Sequence, residues 1–207
     1  MTGALAGALT RHQGPDQWWI ACALSRLGHG HVVLAKAADL PDDVVVAAIA
    51  APYTSFRDHA TRPLALDYQP LADSLERRPQ YAPALSEQLR PGRGECAIRP
   101  SEVDEALRGL ASPHVLIRSH AACVLGDRDL GPAAAPLILP RLAAAAREDP
   151  DADIRRLAIL SLQGWSNDAR PYTSIIRDAR DHDPDPKVRD TAAHCLLQAA
   201  ARESGTL

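Results

Sequence analysis

The sequence contains few aromatic residues and almost no lysine. Its 207 residues include three Trp, four Tyr and one Phe, and only two of its 23 basic residues are lysines. Alanine and leucine dominate instead, a composition that favours closely packed helices. The scarcity of aromatic residues argues against the core of a β-sandwich.

The chain also lacks an apolar run long enough to span a membrane. Its first eleven residues have no basic segment followed by an apolar core, so they do not resemble a signal peptide. No two cysteines have C-x-x-C spacing, which favours reduced structural thiols and a cytoplasmic location. The four are Cys22, Cys96, Cys123 and Cys195.

Positive charge is not in excess, because the formal net charge is −3. Residues 1–100 are balanced, and residues 101–207 carry the whole net charge. A nucleic-acid-binding domain normally presents a basic patch or stripe, and no such stripe is visible here. We therefore expect neither a nucleic-acid partner nor a membrane partner.

The sequence does contain a recurring pattern. It consists of a proline, an apolar residue, an arginine, an alanine and a leucine. The best copy begins at Pro150 and has the form Pro-x3-apolar-Arg-x2-Ala-x3-Leu. It recurs 34 residues later from Pro184 and 37 residues earlier from Pro113. Looser copies begin at Pro52 and Pro15. A fixed period of this length is typical of stacked helical repeats.

In the best copy the pattern predicts the second helix of a helical pair. Asp149 stands where a helix N-cap is expected, and Pro150 at the first helical position. Ile154, Ala158 and Leu162 follow at i, i+4 and i+8, which is one face of a helix. A short helical segment precedes this one, and a repeat of this kind buries its apolar face only against its neighbours.

The equivalent apolar positions of the three regular copies predict one continuous core. Segments 140–147 and 172–180 are expected to form the first helices of two of the pairs. The core positions are Ile117, Ala121, Leu125, Ile154, Ala158, Leu162, Val188, Ala192 and Leu196.

These residues resemble the HEAT-repeat family, in which an aspartate in the turn and an arginine six positions later link adjacent repeats. Asp149 with Arg155, and Asp183 with Arg189, have that spacing, while Arg118 keeps only the arginine. The resemblance implies an all-α, right-handed superhelix of about five repeats. It also implies that these five residues form a structural ladder.

The resemblance further implies one solenoid domain over residues 1–207. Its regular repeats lie at 101–200, its looser repeats at 12–64, and an irregular insertion at 65–100. Within the insertion, the Gly- and Pro-rich stretch 90–100 is expected to be a loop. In the first looser copy, Trp18 and Trp19 are adjacent, so only one of them can face the core.

The face of the second helices that points away from the core is a candidate binding surface. The residue after each ladder arginine, and the residue four further on, point away from the core because each step turns the helix by about 100°. Asp58 and Arg62 have these positions in the looser copy at Pro52. In the regular copies they are Ser119, Cys123, Arg156, Leu160, Asp190 and His194.

This mixture of charged and small apolar side chains suits a polar peptide. We therefore expect a scaffold or adaptor that binds another protein or peptide on the concave face of the superhelix, without a cofactor or metal. His29 and His31 provide two imidazoles but no third ligand at a recognisable spacing. Nucleotide-binding and hydrolase motifs are absent from the sequence.

The alternative is an enzyme of HEAT-like type. Some relatives are alkylpurine DNA glycosylases, which use tryptophans and an aspartate in a concave cleft, and others are bilin lyases acting on small molecules. Trp165 and Asp168 have the residue types that a cleft for a cationic base needs. The acidic balance of the chain opposes a grip on phosphates, so the sequence favours a non-enzymatic function.

Overall fold

The structure is a computed structural model that describes residues 2–54, 65–89 and 98–203. Within these ranges all regular structure is helical and no strand occurs. The all-α fold class is therefore confirmed. The chain divides into two compact units, Met1–Ala97 and Ile98–Leu207. That boundary lies inside the predicted insertion, and the assignment of one domain to residues 1–207 stays a prediction.

The first unit is built around one apolar helix, α4. Residues 44–50 of this helix are buried without interruption. It contacts α2, α3, α5 and α6. The helices of this unit are α1 (Thr2–Arg11), α2 (Pro15–Arg26), α3 (Gly30–Leu34), α4 (Asp42–Ala50), α5 (Gln69–Arg77) and α6 (Ala82–Gln88).

The apolar positions of the looser copy that begins at Pro15 do not form a buried face. Trp19, at the first of them, is 60 % exposed, and Leu27, at the last, is 37 % exposed. Gln17 is buried instead, because its amide donates to the Leu9 carbonyl at 3.0 Å. A buried polar residue with a partner on another helix leaves no trace in an apolar pattern.

The two adjacent tryptophans divide as the sequence predicts. Trp18 packs against Cys22, Ala47 and Ala51, while Trp19 lies outside this cluster. The rings of the two meet edge to face at 4.8 Å. Phe56, Arg57, Asp58, Ala60, Arg62 and Leu64 of the copy at Pro52, and the glycines of the stretch 90–97, lie outside the described residues.

The second unit consists of three helical pairs. The second helices pack side by side, with α10 between α8 and α12, and the first helices do the same, with α9 contacting α7 and α11. The pairs are α7 (Val103–Leu110) with α8 (Val115–Val124), α9 (Ala135–Glu148) with α10 (Ala152–Gly164), and α11 (Thr173–His182) with α12 (Pro186–Glu203).

The continuous core predicted for the three pairs is confirmed. Of the nine predicted positions, eight are at most 1 % exposed. The exception is Leu196, which is partly exposed on α12. In the described ranges no helix has both the length and the hydropathy needed to cross a membrane.

The predicted start of α10 is wrong by two residues. Asp151, not Asp149, is the N-cap, and its carboxylate accepts from the amides of Asp153 at 2.9 Å and Ile154 at 3.3 Å. Asp149 ends the preceding helix with an extended ψ of 131°. The Asp149 carboxylate instead accepts from the Arg118 guanidinium and from the Asp151 amide, so it does not cap the helix.

Candidate functional site

In each helical pair of the second unit, one turn of the form X-Pro-X connects the two helices. The three turns span residues 112–114, 149–151 and 183–185, and we call them the proline turns. In each, the first side chain accepts a hydrogen bond from the backbone N–H two residues later. The distances are 3.2 Å to Ser112, 2.9 Å to Asp149 and 2.9 Å to Asp183. The three turns therefore have one local geometry.

An arginine six residues after the start of each turn anchors that turn. Its Nη1 donates to the carbonyl oxygens of the first and second turn residues. The two distances are 2.9 and 3.1 Å for Arg118. They are 3.0 and 3.4 Å for Arg155, and 2.7 and 3.1 Å for Arg189. Each arginine thus fixes the turn of its own pair.

The other two nitrogens of the guanidinium link one pair to the next. Arg118 donates from Nε and Nη2 to both oxygens of Asp149, at 2.8 and 3.1 Å. Arg155 donates in the same way to Asp183, at 2.7 and 2.9 Å. The four side chains are at most 11 % exposed. Two-pronged contacts of this kind are stronger and more directional than single ones. The structure thus brings together the residues predicted as a ladder.

Burial and the ionic contact have opposite effects on the pKa values of Arg155 and Asp183. Hydrogen bonds from Arg155 lower the pKa of Asp183 below its ordinary value, although burial alone would raise it. The same contact raises the pKa of Arg155, against the effect of burial. Both groups therefore stay charged in the folded protein at neutral pH.

The predicted binding positions lie on the second helices and none of them is buried. Because α8, α10 and α12 pack side by side, equivalent positions form two rows across the three helices. Arg156 is held at 3.2 Å by Asp153 on its own helix and keeps 32 % of its side chain exposed. We call the six residues the second-helix face: Ser119, Cys123, Arg156, Leu160, Asp190 and His194.

A chain of amide hydrogen bonds borders this face and was not predicted from the sequence. Gln163 on α10 donates to Gln198 on α12 at 2.6 Å, and Gln198 is 2.6 Å from Nε2 of His194. An amide nitrogen can only donate, so this imidazole nitrogen accepts. Gln163 also accepts from the thiol of Cys195 at 3.1 Å. Burial raises the pKa of that thiol to about 11, which keeps it protonated.

A hollow of about 570 Å³ opens where the carboxyl ends of α8 and α10 approach each other. An added Cβ on Gly164 would lie 2.5 Å from the Gly126 carbonyl oxygen, so the close approach requires glycine there. Asp127 and Arg202 provide opposite charges at its wall, and Leu160 of the second-helix face lines it. Its remaining lining residues are Gly126, Gln163, Gly164 and Ser166.

Trp165 and Asp168, the two residues of the enzymatic alternative, do not share a cleft: the first is buried and the second is exposed. Trp165 is 3 % exposed, and its indole N–H donates to the Leu125 carbonyl at 2.8 Å. Asp168 is exposed in the short 3₁₀ segment Ser166–Tyr172, so it does not cap α11, whose N-cap is Tyr172. The buried indole is not an open stacking wall beside a carboxylate, and the geometry does not favour a base-binding cleft here.

A cavity of about 560 Å³ in the first unit is a second concave feature. Tyr53 lines it, stacks on Tyr68 at 5.9 Å and donates to the Asp67 carbonyl at 2.7 Å. His31 also lines this cavity, 6.1 Å from the ring of His29. Among the residues that the structure describes, no group of three potential metal ligands occurs. The cavity is formed by residues far apart in sequence, so no local pattern indicates it.

No protein-family model, curated protein or solved structure matches the chain. The features that point to a function are therefore the contacts within each unit. They consist of the proline turns with their arginines, the second-helix face with its hollow, and the cavity of the first unit.

Proposed function

We propose that the chain is a HEAT-like helical scaffold that binds a protein or peptide on the second-helix face. Repetition of the same turn and arginine contacts in the second unit supports the repeat assignment. In this proposal α8, α10 and α12 form the concave side of a right-handed solenoid. Such surfaces suit extended partners because stacking of neighbours, rather than one ligand site, supports the fold.

The observation that carries the proposal is the row arrangement of the second-helix face. Equivalent positions on three adjacent helices are all left unburied, while the core positions beside them are almost fully buried. The rows combine Arg156 and Asp190 with the apolar Leu160. Side chains of this kind hydrogen-bond to a peptide backbone and also cover an apolar side chain of the partner.

The charges near the face favour a protein over a nucleic acid. Arg156 and Arg202 are accompanied by Asp127, Asp153 and Asp190, so neither sign dominates. Binding to a phosphate backbone depends on clustered cations that release counterions. A mixed surface instead gives specificity by matching charges one at a time.

Site-specific photo-crosslinking in living cells of the native host tests the proposal. A photoreactive residue at Leu160 should give a discrete crosslinked band with another protein. The matched control is Leu137 on α9, the first helix of its pair. This apolar side chain is 57 % exposed. Equal bands from both positions, or none from Leu160, would count against the second-helix face.

The cavity of the first unit favours a second candidate function, the binding of a small molecule. Its volume of about 560 Å³ is within the usual range for ligand sites, and Ile49 and Leu66 give it apolar walls. An apolar fluorescent dye should bind the wild-type chain with one-to-one stoichiometry. The Leu34→Trp variant should not bind the dye, because the larger side chain fills the cavity from a partly exposed position. Unchanged dye binding in that variant would reject the cavity as the site.

A further inference from the structure

Three residues of α12 form a row on one side of the helix. Arg189, Ala193 and Leu197 stand at i, i+4 and i+8, so they lie on one face. We call them the outer row. The face differs from the second-helix face, whose α12 members are Asp190 and His194.

The equivalent row of α10 is covered by α12. Arg155 stands where Arg189 does, and its fork binds Asp183 of the next pair. Ile159 stands where Ala193 does and is fully buried. Gln163 stands where Leu197 does and bonds to residues of α12. The two ends of this row thus bind α12 and the Asp-Pro-Asp turn before it, and the residue between them is buried.

The equivalent row of α8 is covered by α10 in the same way. The fork of Arg118 binds Asp149. Ala122 is fully buried, and its carbonyl accepts from Ser161 of α10 at 2.7 Å. Gly126 lies so close to α10 that an added Cβ would be 2.9 Å from the Ser161 Cα. Here too the covering helix follows an Asp-Pro-Asp turn.

The outer row itself is uncovered in the described part of the chain. Leu197 is 71 % exposed, the highest exposure among the large apolar residues of the described ranges. Arg189 uses Nη1 on its own proline turn, and within residues 98–203 its Nε and Nη2 contact no carboxylate. A guanidinium fork already fixed by its turn is therefore presented beside an exposed apolar side chain.

We propose that the outer row is a docking surface for an α-helix of a partner protein that begins just after an aspartate. The fork of Arg189 would take the aspartate, and Ala193 and Leu197 would pack against a small residue of the helix. Both covered rows show this arrangement, with Ser161 or Cys195 as the small residue. The charge of the fork requires an acidic group at the start of the partner helix.

A second copy of this chain fits the outer row less well than a different protein. Asp149 and Asp183 are already held by Arg118 and Arg155. The remaining proline turn begins with Ser112, which has no carboxylate. The proline turns of a second copy thus offer no available aspartate, which favours a partner protein that supplies one of its own.

A synthetic peptide of residues 166–203, added to the full chain, tests the proposal. The peptide contains Asp183 and the helix that covers the equivalent row of α10. Its own Arg189 is changed by Arg189→Gln so that it cannot stack on itself. Fluorescence anisotropy should show saturable binding to the wild-type chain. Arg189→Glu in the chain should weaken it by at least about tenfold, because an unlike-charge contact becomes a like-charge one.

Reversing the charge on both sides makes the test specific. A peptide with Asp183→Arg should bind the Arg189→Glu chain better than the wild-type chain. Leu197→Glu, at an exposed position that leaves the fold intact, should also weaken binding. Lys187→Glu, an exposed residue of the same helix, should leave it unchanged, and so should Arg156→Glu on the second-helix face.

Three results would overturn the proposal. The first is that the peptide does not bind although circular dichroism shows that it is helical; where it is not, a hydrocarbon staple on the exposed side of the helix fixes it before the test. The second is that it binds the Arg189→Glu and Leu197→Glu chains as tightly as the wild type. The third is that the chain alone self-associates through Arg189. The last result would make a second copy the occupant. Because Arg156→Glu is a separate arm, the outer row and the second-helix face succeed or fail independently.

Discussion

Arg155 and Asp183 stand 28 positions apart in the sequence and meet through two hydrogen bonds of 2.7 and 2.9 Å. The same guanidinium also holds two backbone carbonyls of the turn before its own helix. One side chain therefore fixes the local turn and the neighbouring helical pair at once. Arg118 makes the equivalent contacts with Asp149 and its own turn.

Asp183→Asn should destabilise the protein by about 3–5 kcal/mol, because it leaves a buried guanidinium without its counter-charge. Urea denaturation followed by circular dichroism measures the change. Asp153→Asn is the matched control, since that carboxylate is 72 % exposed and an exposed pair contributes less than about 1 kcal/mol. An equal loss of unfolding free energy in the two variants would show that the buried contact stabilises the protein no more than the exposed one.

The contribution of Asp183 should disappear in acid. Its folded-state pKa lies below the ordinary value of 3.8, so the folded protein binds this proton less readily than the unfolded chain. The stabilisation is therefore complete above that ordinary value and is lost as the pH falls through the lowered pKa. The stability difference between wild type and Asp183→Asn should be constant near neutral pH and shrink below pH about 4. A difference that grows in acid would contradict this sign.

Gly164→Ala should destabilise the protein by about 1–3 kcal/mol, since the new methyl group meets backbone that cannot move alone. Its Cβ would lie 2.5 Å from the carbonyl oxygen of Gly126. Gly3→Ala is the control, because no atom lies within 4 Å of that added Cβ and alanine favours a helix. Thermal melts should therefore shift in opposite directions. A neutral Gly164→Ala would mean that α8 and α10 do not approach this closely.

Leu162→Ala should cost about 2–5 kcal/mol through the cavity that it leaves. Leu162 is fully buried on α10, whereas Leu197 is 71 % exposed on α12. Leu197→Ala removes the same atoms and should change the stability by less than about 0.5 kcal/mol. Chemical denaturation of the two variants compares the sites directly. Similar costs would contradict the assigned core face.

The sequence predicted the core of the second unit because its repeat places one residue type at one position in every pair. Ile154 and Val188 are buried together for that reason, and the positions of Arg155 and Arg189 follow from the same period. The copy at Pro15 satisfied the pattern by composition alone. There Gln17 is buried through a contact with Leu9 on another helix, and a pattern of apolar residues cannot show such a contact.

The candidate site was predictable only where helix geometry determines direction. The 100° step predicted that Arg156 and His194 point away from the core, and neither is buried. Gln163 and Gln198 stand 35 positions apart on two different helices. Their amide contact depends on how those helices pack, which the sequence pattern does not show. The start of α10 lies at Ala152 because the Asp149 carboxylate binds Arg118 of the preceding helical pair and Asp151 caps the helix instead. A capping pattern alone cannot show such a long-range contact.

The affinity of the protein that crosslinks through Leu160 tests the central proposal most directly. Isothermal titration should be carried out with the wild type, with Arg156→Glu combined with His194→Glu, and with Arg177→Glu combined with His182→Glu. The control pair makes the same charge changes at exposed positions of α11. We predict at least about tenfold weaker binding for the first double variant, with an unchanged melting temperature and full affinity in the control. Unchanged affinity in the first double variant would contradict binding at the second-helix face.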